Sequence, residues 1–152
     1  MSAAEVVQCF FDASGIQHRR VDDTHWIAEL AGEHKSSIPI AISLTGQCVE
    51  VEAFFMRRPQ ENQERFYELL LRRNTRAYAV SFALDEAGDV YLVGRRAIAG
   101  LDEDEMDRIV GSVLVEADGL FDAAVSIGFA SYLEADLRWR ATRDAEANIH
   151  RA

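Results

Sequence analysis

The chain predicts an α+β fold: an antiparallel five-stranded sheet with helices packed mainly on one face, in the order α-βββ-α-ββ-α, plus a C-terminal helix. Two observations carry this. Ser37–Thr45 and Cys48–Met56 alternate apolar and polar residues around Thr45-Gly46-Gln47, the pattern of antiparallel strands joined by a turn, with one face covered. Asn62–Gly94 then runs as amphipathic helix, strand, four-residue turn and strand.

The elements follow in order. Ala3–Ala13 places Val6, Val7, Phe10 and Phe11 on one helical face, and Gly15 stops that helix. In His25–Ala31, Trp26, Ala28 and Leu30 share one side of a strand. In Ser37–Thr45 the apolar side is Ile38, Ile40, Ile42 and Leu44, and Pro39 suggests an edge position because proline cannot donate to a ladder. In Cys48–Met56, Val49, Val51, Ala53 and Phe55 face the core. Phe54 and Met56 fall on the other, less buried side, where they either close the sheet end or form an exposed adhesive spot.

Asn62 is placed to cap the next helix. That helix carries one stripe of Phe66, Leu69, Leu70 and Arg73 and a second of Tyr67 and Leu71. An arc this wide means either deep burial or packing on the sheet and also on a partner chain. Arg72 and Arg73 suit the negative end of the helix dipole, and Asn74 suits a left-handed cap. Ala77–Leu84 and Asp89–Val93 form a hairpin closed by Asp85-Glu86-Ala87-Gly88, with Tyr78, Val80, Phe82 and Leu84 on one side. Leu101–Met106 is a helix start: Asp102 caps, and Glu105 completes a capping box. The stripe Met106, Ile109, Val110, Val113, Leu114, Ala117, Leu120 and Phe121 follows, with Gly119 a bend and Gly128 a break. Ser131–Ile149 is a tail helix that loses its apolar period. The expected division is a domain over 1–130 and a helical tail over 131–152.

Composition narrows the function classes. A net charge of −10 with a single lysine, Lys35, argues against a duplex nucleic-acid binder, which must neutralise phosphates. Between Leu101 and Asp122 eight carboxylates face only Arg108, which reads as a solvated helix face or a surface for a basic partner. No apolar run has the length of a membrane span. The N-terminal segment lacks a basic region and carries Glu5, unlike a signal peptide. The only cysteines are Cys9 and Cys48, and the cytoplasm, where thiols stay reduced, is the expected compartment.

Catalytic and metal motifs are missing. His18, His25, His34 and His150 have no partner at ligand spacing, neither cysteine has a neighbouring His or CxxC partner, and no GxSxG, HExxH, Walker A or GxGxxG occurs. Asp85–Asp89 lacks the alternating ligands of a calcium loop. No cofactor or metal is expected, and the chain reads as a non-enzyme.

With LLLRRN followed by AYAVSFALDEAGDVYLVG in this order of elements, residues 3–130 resemble the YbjN-domain family of bacterial proteins, described as sensory transduction regulators. The resemblance implies the type III secretion chaperone-like fold, a homodimer and a protein-binding role. It supplies no catalytic residues to carry over. The expected function is a non-enzymatic, chaperone-like protein-binding or regulatory domain, with partner contacts at Phe54, Met56, Tyr67 and Leu71. The alternative is a small-molecule-sensing regulatory domain with Arg57, Arg72 or Arg95 on an anionic ligand.

Overall fold

Strands of period two and helices apolar on one side meet across a single core in the computed structural model, which describes the backbone of residues 1–151 and side chains through Ile149. The imidazole of His150, and Ala152 at the end of the expected tail, lie outside the described residues. The elements are α1 (Ala3–Ser14), β1 (Gln17–Arg20), β2 (His25–Leu30), β3 (Ile38–Thr45), β4 (Cys48–Met56), α2 (Gln63–Asn74), β5 (Ser81–Leu84), β6 (Val90–Ala97), α3 (Glu103–Gly128) and α4 (Ala130–Arg151). The sheet is antiparallel, in the order β1-β2-β3-β4-β6-β5. It has six strands where the alternation pattern predicts five. The extra one, β1, reads Gln-His-Arg-Arg and offers no apolar face for a periodicity argument to find.

The core joins Val7, Phe10 and Phe11 of α1, Phe66 and Leu70 of α2, and Met106, Ile109 and Val113 of α3 to Trp26, Ile40, Ile42, Val51, Phe55, Phe82 and Leu92 of the sheet. The three helices therefore cover one face only. α1 is closed by Gly15 at φ 72°, as its sequence predicts.

Four local expectations are corrected. Pro39 does not mark an edge: β3 lies between β2 and β4. Proline is tolerated because it is the second residue of β3, opposite Glu29, and the register with β4 begins only at Ile40. Met56 is not on the outer side. The ladder between β4 and β6 shifts between Phe54 and Met56, and one extra residue in a strand swaps the faces beyond it, so Met56 is buried. Asn62 gives α2 no side-chain cap; its amide donates to the Ile127 carbonyl at 2.9 Å. Asn74 is not a left-handed cap, since the helix continues through it to Thr75 at φ −67°. The Asn74 amide instead takes both backbone groups of Phe82: the Phe82 N–H donates to Oδ1 at 2.7 Å, and Nδ2 donates to the Phe82 carbonyl at 3.2 Å.

At α3 the Asp102 side chain accepts from the Glu105 N–H at 2.8 Å. The Glu105 carboxylate turns away from the capping box, to the Tyr78 hydroxyl at 3.1 Å and Arg108 at 3.0 Å. The acidic run is also less of a bare solvated face than its charge suggests. Glu116 is buried against Arg73, Asp118 accepts from the His34 and Lys35 amides at 2.7 and 2.9 Å, and Asp122 pairs with His34 at 2.7 Å.

α3 ends at Gly128, where a β-carbon would press into Phe66 and Pro59. The segment before α2 grips this junction. Gln60 and Glu61 donate their N–H groups to the Gly128 carbonyl at 2.9 and 3.2 Å, and Glu61 accepts from the Ser131 N–H and hydroxyl. α4 then leaves the core with Tyr132, Leu137 and Trp139 exposed.

Candidate functional site: the uncovered sheet face

With α1, α2 and α3 on one side, the opposite face of the sheet has no cover of its own. Alternation sends Gln17 and Arg19 of β1, Ile27 and Glu29 of β2, Pro39 and Ala41 of β3, Glu52 and Phe54 of β4, and Tyr91 and Val93 of β6 to this face. A groove of about 770 Å³ crosses it from β1 to Tyr91. Its floor is apolar: Ile27 is 40% exposed, and the Phe54 ring meets Tyr91 edge-on at 5.4 Å. Arg19, Glu29 and Glu52 add charges of both signs. Ser37 donates to Glu29 at 2.6 Å.

Two ionisable groups near the groove are perturbed. Burial, followed by the Asp85, Glu52 and Asp89 carboxylates, pushes the Tyr91 phenol above its ordinary value. Burial pulls the Lys35 ammonium below its own; Lys35 Nζ lies 6.0 Å from the Phe54 ring centre and 5.4 Å from that of Phe121. Each described histidine faces a carboxylate, His18 with Asp12 at 3.4 Å and His25 with Asp22 at 2.9 Å besides the His34 pair. Among the described residues no three His, Cys, Asp or Glu side chains come together as a metal site. None of their helices is long and apolar enough to cross a membrane.

The side chains singled out from sequence fall in different places. Phe54 lines the groove, Met56 faces the core, and Tyr67 and Leu71 sit on α2, half-buried and exposed respectively. Arg57 follows β4, Arg72 lies on α2 and Arg95 on β6, and none lines the groove. Arg57 lies over the Phe129 ring at 5.5 Å, Arg72 pairs with Glu68 and Arg95 with Glu50 at 2.9 Å. Arg19, Ile27 and Tyr91 are among the groove residues that sequence reasoning did not single out. Ile27 carried a signal, being the apolar exception on the outward side of β2.

Residues 3–125 match the YbjN family, described as "Putative bacterial sensory transduction regulator". An uncharacterized protein of Mycobacterium tuberculosis (strain ATCC 25618 / H37Rv) is 45% identical over 117 residues, 77% of this chain and 64% of the relative. One from Mycobacterium leprae (strain TN) is 40% identical over 122 residues, 80% of this chain and 66% of the relative. The chain thus spans just under two thirds of the length of these relatives. Among solved structures, the ExsC–ExsE complex matches with TM-score 0.58 at 16% identity, over 80% of this chain and 96% of the other. The heterodimeric ExoU–SpcU complex from the type III secretion system of Pseudomonas aeruginosa matches with TM-score 0.57 at 14% identity, over 76% and 95%. The fold is therefore α+β and type III secretion chaperone-like.

Proposed function

This chain belongs to the YbjN family, and on that footing we propose that it is a non-enzymatic, chaperone-like protein-binding or regulatory domain, which holds a segment of another protein on its uncovered sheet face. One observation carries the reading: an apolar groove of about 770 Å³, floored by Ile27, Phe54 and Tyr91, lies on a sheet face that no helix covers. Contiguous apolar surface rimmed by charge is where soluble domains meet partners. Two of the proteins it resembles in fold were solved as complexes of two proteins, which supports the same reading. We place a second copy of the chain against the α2 stripe of Tyr67 and Leu71, leaving the groove for the partner. The cytoplasm is the compartment in which we expect it to act.

The test is site-specific photo-crosslinking in cells. A crosslinking amino acid at Ile27 should trap a reproducible protein adduct. The same group at Val115, which is 59% exposed on α3, should not. Equal adducts from both positions, or none from Ile27, would sink the assignment of the groove.

A further inference from the structure

The sheet has two edges, and the molecule treats them differently. At β5, the Asp85 N–H donates to the Asp89 carbonyl at 3.0 Å. Alternation along the β5–β6 register then turns the backbone groups of Phe82 and Leu84 outward. The Asn74 amide occupies both groups of Phe82, so the last residue of α2 closes the middle of this edge and leaves only the Leu84 groups outward, at the strand end beside the turn. At β1, the Val21 N–H donates to the His25 carbonyl at 2.8 Å. The same alternation turns Gln17 and Arg19 toward β2 and leaves the N–H and C=O of His18 and Arg20 facing outward. None of these four groups has a hydrogen-bond partner among the described residues. Beside this open edge begins the groove of the uncovered face.

We propose that the β1 edge takes up an acidic, extended segment of the partner protein as a seventh strand, bonded through the His18 and Arg20 backbone. The inference rests on the protein-binding reading above and specifies where and in what form the segment binds. Main-chain pairing at a free edge supplies affinity, and alternate side chains of the added strand reach the groove. Charge selects the occupant. β1 reads His-Arg-Arg within a chain of net charge −10. Arg19 is exposed toward the groove, while Arg20 is anchored over the Trp26 ring at 4.9 Å and donates to the Asp22 and Asp23 carbonyls. A second copy pairing edge to edge would set these cations against their own counterparts, which destabilises a sheet. The charge that repels a copy attracts an acidic strand.

The experiment selects displayed random peptides of about a dozen residues against the full chain and reads binding by amide exchange and titration. The expected result is enrichment of peptides with net negative charge and alternating apolar residues. Their binding should slow exchange at the His18 and Arg20 amides and weaken as salt rises. Arg20→Pro removes one outward N–H and should weaken binding at least about tenfold relative to Arg20→Ala, which keeps it. Arg19→Glu, on an exposed side chain, should do the same even if Arg20→Pro fails to fold. Selected peptides that leave the β1 amides unprotected and bind these variants as well as wild type would overturn the strand addition while leaving protein binding intact. No enrichment of any peptide would overturn both.

Discussion

Arg73 Nε lies 2.6 Å from Glu116 Oε2, joining the last turn of α2 to the middle of α3. Glu116 is the one charged residue among the buried side chains of the described residues, and the Arg73 guanidinium passes beside Gly119. Breaking a buried pair from one side leaves an uncompensated charge. We expect Glu116→Ala or Arg73→Ala to cost about 3–5 kcal/mol in urea denaturation. Replacing both by methionine should cost much less than the two single changes together. Additive losses would show that the pair is not coupled.

Asn74→Leu is of similar volume and removes both bonds to Phe82. Leaving those backbone groups unsatisfied should destabilise the fold by about 1–3 kcal/mol and speed exchange of the Phe82 amide. It should also raise the tendency to self-associate, by opening the β5 edge. An unchanged Phe82 exchange rate would show that the amide clamp is not formed.

The Asp118 carboxylate is held below its ordinary value, first by the Lys35 amide and then by those of His34 and Glu33, against an opposing effect of burial. A depressed carboxylate stabilises above its ordinary pKa of 3.8 and loses that contribution as pH falls through its folded value. An NMR titration should give an Asp118 midpoint below 3.8, with the His34 and Lys35 amides shifting together with it. In Asp118→Asn those amide shifts should no longer titrate with that midpoint. A wild-type midpoint at or above 3.8 would contradict the amide cradle.

Light scattering at micromolar concentration should report about twice the 17.0 kDa chain mass. Leu71 is 66% exposed on α2, so Leu71→Asp with Tyr67→Asp should return the mass to one chain with unchanged circular dichroism. A monomeric wild type would remove the second copy from the α2 stripe.

Much of this architecture is legible because its elements are built by period. The β4 span Cys48–Met56 and the Trp26, Ile40, Val51 and Phe82 core positions follow from alternation alone. What escapes is whatever breaks period or depends on a distant partner. A single bulge reverses Met56 without altering the residues around it. β1 is a strand because β2 offers it an edge, not because its side chains prefer one. Asn74 has the residue type of a cap, and only the approach of β5 gives its amide a better use. Phe54 was readable as outward-facing, whereas the groove it lines needs five strands assembled side by side.

The grip of Gln60 and Glu61 on the α3–α4 junction makes the last helix a pointer. Its 22 residues extend about 33 Å from a pivot held by the segment that enters α2. A tilt of about 10° at Gly128 would sweep the far end through about 6 Å. Any force that shifts the start of α2 is thereby magnified at a distance, and a load on the far end is felt back at Pro59–Asn62.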